Sequence, residues 1–423
     1  MVKGGFNVNN SAKSGHSLLD KIGIPASLAW GFVGLFFFVT GATIEQGWFS
    51  SSLVNSGFSS SSAGLIFTVY GIAVAVFAWL TGACTQIFGI RRLMLAGVIL
   101  YFVGSLPLVL VALPQKSYWL IMLVYTIRGA SYPLFAYSFL VWLNYRAPMA
   151  SLARAMSCFW ITFGLGMTVF APYFSSAFMF MGKTNLFYFG FVLVIIGAVC
   201  ALVLNHDDAK IPQTNEAVLK GLFDSFTLIF RRPRLGLGVI VKAINDIGKF
   251  GYVIVMPIYL IHYGYSTSEW LTVWAIVNIV GYFFNYLFGY IADSIGWRKT
   301  LVYFSGTFCG LGTLGLWLVP VILGHNLIAL FMALVLYTIG LGGFVPLSAI
   351  IPNLVPENKG AAISALNLGS GLSNFLGPLI VSIFISPFGS AGALIALAVV
   401  YFLASPLSYF LKTPDELNQA KRA

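Results

Sequence analysis

Long apolar stretches recur along the chain, separated by short polar turns. Twelve stand out, at 25–49, 63–87, 92–113, 118–143, 151–177, 184–204, 235–262, 267–292, 298–323, 326–348, 359–385 and 388–411. Each is close to or beyond the roughly 20 residues that a helix needs to cross a bilayer. Lipid offers no partner to a backbone N–H or C=O, so the pattern predicts an all-α membrane protein with twelve transmembrane helices. The longest polar interruption, 205–234, falls near mid-chain. It predicts a linker between two six-helix halves, 25–204 and 235–411, flanked by polar tails at 1–24 and 412–423. The first apolar run is too long for a signal-peptide core and no small-residue cleavage site follows, so it is expected to be retained.

Composition agrees: 59% of residues are hydrophobic and 8% charged. The charges fix an orientation. Of the 23 Lys and Arg, only Lys116 and Lys183 fall in the loops of one side, and Arg128, Lys242 and Lys249 fall inside spans. The others gather on the side of the two tails. The positive-inside rule makes that side, with both termini, cytoplasmic. The net charge of +11 is therefore a matter of topology and not of nucleic-acid binding, since the basic residues are scattered over short turns and form no stripe. Cys84, Cys158, Cys200 and Cys309 are far apart inside spans and read as small apolar residues. His16, His206, His262 and His325 are also scattered. No metal site, no cofactor and no catalytic constellation is expected, so an enzyme is disfavoured.

Ionisable side chains at mid-bilayer cost about 2.5–3.5 kcal/mol each on insertion scales, so the few present are informative. Glu45 lies towards the far end of the first span, either as a proton-binding carboxylate or as an acid at the membrane rim. Arg128 lies near the middle of the fourth span, beside Gly129 and Pro133, and needs a carboxylate or a wet cavity. Glu45 is a candidate partner, although span depths separate the two by several ångströms. In the seventh span Lys242, Asn245, Asp246 and Lys249 share one face at steps of three and four. They form either a self-satisfied ion cluster or the polar wall of a cavity. Ser266 and Glu269 have capping-box spacing at the start of the eighth span. Polar and aromatic stripes add Tyr70 and Thr68, Trp160, the series Trp270, Trp274 and Asn278, and Asn367, Ser370 and Asn374. Amide and hydroxyl groups converging from several helices suit a polyhydroxylated solute, with aromatic faces for its C–H surface. The bland alternative is hydrogen bonding between helices.

A short basic hairpin occurs once in each half. Gly289, Asp293, Gly296, Arg298 and Lys299 form one copy; Gly82, Gln86, Gly89, Arg91 and Arg92 form the other, without the acid. Repetition at this interval points to a duplicated protein whose halves move against each other. Asp293 sits at a helix C-terminus, where the dipole disfavours an anion, so it is expected to form an inner-gate latch with the basic residues beyond the turn, or a static surface pair. The latch is expected to be stronger in the second half.

At these positions the chain resembles the major facilitator superfamily, whose hairpin pattern is G-x-x-x-D-x-x-G-x-R-[RK]. The second copy matches it throughout and the first departs at Gln86. Nearly the whole chain also resembles the polyol permeases, which carry ribitol and D-arabinitol in bacteria. The segments concerned are Phe67 to Gly71, Arg128-Gly129 with Tyr132 to Phe135, Thr267 to Leu271, Lys359 to Ser364 and Gly371 to Leu376. The resemblance implies proton-linked uptake of a pentitol across the bacterial inner membrane by two rocking halves. No cofactor is expected; the expected partners are a small solute, a proton and the bilayer, and the expected unit is a monomer. Glu45 would carry the proton, with Arg128 beside it. Tyr70, Arg128, Trp160, Asn245, Asp246, Lys249, Trp274, Asn278, Asn367 and Asn374 would contact the solute. Asp246 and Lys249 depart from the family's uncharged seventh helix, which opens the alternative of an organic anion such as a sugar acid or a 2-oxo acid. A non-transporting membrane sensor is the remaining alternative.

Overall fold

A computed structural model describes residues 24–147, 152–205, 207, 226–356 and 359–413. Most of the expected tails and of the central linker lies outside the described residues. The described chain forms twelve helical rods. The first half holds α1 (Ala29–Thr43), α2 (Ser60–Phe88), α3 (Ile90–Pro107, prolonged by a π turn at Leu108–Ala112) and α4 (Tyr118–Gly129, then Ser131–Arg146). It is completed by α5 (Leu152–Gly164, a π segment Leu165–Phe170 and Ala171–Ala177) and α6 (Lys183–Leu202). The second half holds α7 (Pro233–Leu260), α8 (Thr267–Ile295), α9 (Trp297–Thr300, a π turn Leu301–Ser305 and Gly306–Leu323) and α10 (Leu327–Gly343, continued by Leu347–Asn353). The segment Lys359–Tyr409 contains α11 and α12, divided where Gly389 takes φ 67°.

Nine segments among the described residues are long and apolar enough to cross a membrane by themselves. Three features account for the remainder. One of the nine, Ala365–Tyr409, contains two rods. α4 is interrupted at Ala130 and carries Arg128, and α7 carries Lys242, Asp246 and Lys249. The break in α4 therefore falls beside Arg128, while α7 is continuous and differs by its three charges.

The first rod is shorter than the apolar pattern predicts. α1 ends at Thr43, and residues 44–48 form turns before a short helix, Phe49–Asn55. Thr40 and Thr43 hydroxyls donate to the carbonyls of Phe36 and Val39, and the Trp48 indole donates to Ile44 O at 3.1 Å. These local bonds satisfy the polar groups at the break, so the run 25–49 stays apolar without staying helical. Glu45 thus sits on a turn.

Both basic hairpins are one-residue turns. Gly89 joins α2 to α3 at φ 87° and Gly296 joins α8 to α9 at φ 100°. Only glycine reaches such angles without strain, which explains the second glycine of each motif. Arg92 and Lys299 are exposed on this face of the molecule, called here the basic face. Within the first half α1 packs on α6 and α3 on α4; within the second, α7 packs on α11–α12 and α9 on α10. The halves meet along α2 against α11 and α5 against α8. Gly71 makes the first contact possible, since a Cβ there would stand 2.1 Å from Asn374 O.

Candidate functional site

The two halves are tied together away from the basic face. Ser61 Oγ donates to Ser382 O at 3.0 Å and Ser382 Oγ returns a bond to Ser61 O at 3.0 Å. Ser176 Oγ bonds Ser268 O at 3.0 Å and lies 2.7 Å from Thr272 Oγ1. Ser50 Oγ reaches Val253 O and Ile254 O of α7. At mid-depth Tyr132 O–H donates to Asn374 Oδ1 at 3.0 Å. Nearer the basic face the halves enclose a wider space.

Two cavities lie along this seam. The inner one is lined by Thr43, Gln46, Gly47, Met167, Thr168, Pro172, Lys249, Phe250, Val253 and Trp274. It is walled by both halves and is largely apolar, with a few convergent polar groups, as small-solute sites are. The other is wider, lies closer to the basic face and is lined by residues of α2, α4, α5 and α11, including Trp79, Tyr137, Trp160, Asn367 and Ser370.

Glu45 and Arg128 are in direct contact, which corrects the separation expected from span depths. The turn that ends α1 brings Glu45 inwards, and the long Arg128 side chain spans the remaining gap. Arg128 Nη1 pairs with Glu45 Oε1, Nη2 donates to Oε2 at 2.6 Å and to Ala42 O at 3.0 Å, and Tyr125 O–H donates to Oε1 at 3.1 Å. The guanidinium also lies over the rings of Tyr101 and Tyr125, at 5.0 and 5.5 Å. The pair is sealed: Arg128 is 1% and Glu45 0% exposed. Gln46 and Tyr70 form a lid, with Gln46 Nε2 donating to Tyr70 O–H at 3.2 Å and Tyr70 stacked on Tyr125 at 4.5 Å. In this conformation Arg128 and Tyr70 belong to the sealed cluster and do not line either cavity.

α7 brings its charges together as the spacing predicts. Lys242 Nζ stands 3.3 Å from Asp246 Oδ2 and Lys249 Nζ 2.6 Å from Oδ1. Lys249 also reaches the inner cavity, across from Trp274, which stacks on Trp270 at 5.4 Å. Asn245 is buried, its carbonyl accepting from Tyr401 O–H. Asn278 donates to Trp274 O of its own helix at 2.7 Å and is outside both cavity walls. Asn374 is held by Tyr132 and by the carbonyls of Ser370 and Gly371. Trp160 and Asn367 line the wider cavity. Sequence reasoning missed Thr43, Gln46 and Thr168 as cavity lining; Gln46 follows Glu45 directly, and nothing in the pattern marks the other two.

At the basic face the first hairpin acts on the end of α6. Arg91 donates to Leu202 O, Asn205 O and Asp207 O at 3.1, 2.6 and 2.7 Å. Asp207 Oδ1 also receives the Trp142 indole at 3.1 Å and Arg146 Nε at 2.9 Å. In the second hairpin Arg298 donates to Tyr409 O at 3.3 Å and lies over the Tyr409 ring. The side chains of Gln86 and Asp293, on which the expected difference between the latches turns, lie outside the described residues, as does that of Gly82's neighbour Ala83. Gly289 has open space around it. Glu269 is a cap: Ser266 Oγ accepts from its N–H, its carboxylate accepts from Ser266 N–H at 2.7 Å, and His325 lies 3.2 Å away.

A helical bundle of two halves, joined on one face and parted around a cavity that both of them line, has the build of a membrane carrier that exposes its site to one side at a time. The chain belongs to the Major Facilitator Superfamily, whose profile matches residues 26–351 and 306–423. It is therefore a multi-pass secondary transporter. It is 41% identical over 409 residues to the alpha-ketoglutarate permease of Bacillus subtilis, covering 96% of this chain and 94% of that protein. It is 33% identical over 399 residues to the D-arabinitol transporter of Klebsiella pneumoniae, covering 92% and 93%. Its fold is similar to the inward open conformation of the xylose transporter XylE from E. coli, with TM-score 0.67, 14% identity and coverage of 93% and 98%.

Proposed function

We propose that this chain carries a small organic anion of the 2-oxo acid type into a bacterial cell across the inner membrane, coupled to protons. The observation that carries this reading is Lys249, a cation 34% exposed and facing a cavity shared by both halves. An ammonium there has a carboxylate as its natural partner, Gln46 keeps one amide N–H for a keto or hydroxyl oxygen, and the Thr43 and Thr168 oxygens, whose protons go to Val39 O and Gly164 O, accept from a solute hydroxyl. The 41% relative named as a permease for alpha-ketoglutarate supports the same class. The pentitol expected from the sequence becomes the second reading, favoured by the D-arabinitol relative and by the amide and hydroxyl groups of the cavity.

With the basic face cytoplasmic, the serine and threonine bonds close the outer side and the conformation is inward-facing. Glu45 is the proposed proton carrier. Protonation removes half of the buried pair, which frees the Arg128 guanidinium and loosens the lid of Gln46 and Tyr70 beside the cavity. Coupling of this kind requires that the site reach opposite solvents in alternation.

The test is uptake into proteoliposomes of 2-oxo acids, pentitols and hexitols, with and without an imposed pH gradient. The expected result is accumulation of a 2-oxo acid that ribitol does not inhibit, lost in Lys249→Ala. Glu45→Gln is expected to abolish pH-driven accumulation and to spare solute exchange. Uptake of ribitol that survives Lys249→Ala would replace the anion by the polyol, and accumulation surviving Glu45→Gln would remove Glu45 as the coupling site.

A further inference from the structure

The cluster on α7 holds two ammonium groups and one carboxylate. The two lysines use separate oxygens of Asp246, Lys242 on Oδ2 and Lys249 on Oδ1. Their surroundings differ. Lys242 and Asp246 are 17% and 13% exposed, and the stem of Lys242 runs against α11, where a Cβ on Gly369 would stand 3.0 Å from its Cβ. Lys249 is twice as exposed and borders the inner cavity. The carboxylate therefore occupies, on Lys249, the place that a solute carboxylate would take.

We propose that Asp246 is a resident counter-ion that sets how many negative charges the solute site accepts. This rests on the anion reading above. With Asp246 ionised the cluster carries one excess positive charge, enough for one solute carboxylate. When a carboxylate docks on Lys249 it replaces Oδ1, and Asp246 keeps Lys242 through Oδ2. A second carboxylate on the same solute meets the neutral amide of Gln46 and, among the described lining residues, no further cation. Asp246 is thus a specificity-determining residue that holds down the preference for dianions over monoanions. Lys242 acts on the same count from behind, without touching the solute.

The test measures affinity for pyruvate, a monoanion, and 2-oxoglutarate, a dianion, by calorimetry on the purified full chain in detergent at neutral pH. The read-out is the ratio of the two dissociation constants. Removing one unit charge a few ångströms from a partly screened site changes that ratio by about tenfold. Asp246→Asn is expected to shift the ratio about tenfold towards 2-oxoglutarate, and Lys242→Gln about tenfold towards pyruvate. Asp246→Glu is expected to keep the parent ratio. A purely structural role would weaken both acids together and leave the ratio alone. An unmoved ratio, or a shift of the same sign in both charge-changing variants, overturns the proposal while leaving the anion reading intact. A parent protein that binds ribitol and neither acid overturns both. Should Asp246→Asn fail to fold, the sign of the Lys242→Gln shift decides.

Discussion

The Glu45–Arg128 pair is accessible to a double-mutant cycle whose outcome follows from its surroundings. In Arg128→Met the Glu45 carboxylate stays fully buried, with the Tyr125 hydroxyl as its described side-chain donor. An uncompensated buried charge costs about 3–5 kcal/mol. In Glu45→Gln the guanidinium retains Ala42 O at 3.0 Å and the faces of Tyr101 and Tyr125. Those contacts offset part of the loss, so the cost falls to about 2–3 kcal/mol. The double variant removes both charges and the desolvation each demands. It is expected to lie within about 2 kcal/mol of the parent, giving a coupling energy of at least about 3 kcal/mol. Equilibrium unfolding in mixed micelles titrated with SDS, followed by tryptophan fluorescence, measures all four corners. If the single costs simply add, to within about 0.5 kcal/mol, the two residues do not form the pair described and the argument fails.

Three further outcomes follow from the seam and the hairpins. Ser61→Cys with Ser382→Cys, whose hydroxyl oxygens stand 3.5 Å apart, is expected to cross-link on mild oxidation and to arrest transport until reduced; unhindered transport after verified cross-linking would mean that this contact does not open in the cycle. Gly71→Val is expected to wedge α2 from α11, because its side chain meets backbone at Asn374 and Phe375 and not a movable side chain. Labelling of Ser61→Cys from the outer solvent should then rise several-fold in a background without the four native cysteines, and unchanged labelling would contradict the close approach. Asp293→Asn is expected to slow solute exchange more than Gln86→Ala, since only the second hairpin carries an acid; equal rates would remove the latch from the mechanism.

The division of labour between sequence and tertiary structure follows from what each physical constraint acts on. Bilayer thickness and backbone hydrogen bonding act locally, so span number, the paired glycine turns and the capping box at Ser266–Glu269 were all legible in the chain. The neighbours on α7 were legible too, since Lys242, Asp246 and Lys249 share one helix and helical spacing alone brings them together. Relations between helices were not. Nothing in the apolar run 25–49 announces that α1 stops at Thr43, because its polar groups are satisfied by their own turn. That break is what carries Glu45 to Arg128, a contact between residues of different helices that depth along the sequence misjudges. The same limit applies to the solute. Hydroxyls, amides and aromatic rings recur on many spans, and only packing decides which face a cavity. It placed Lys249 and Trp274 on the inner cavity wall and left Tyr70, Asn374 and Arg128 bound to partners within the protein.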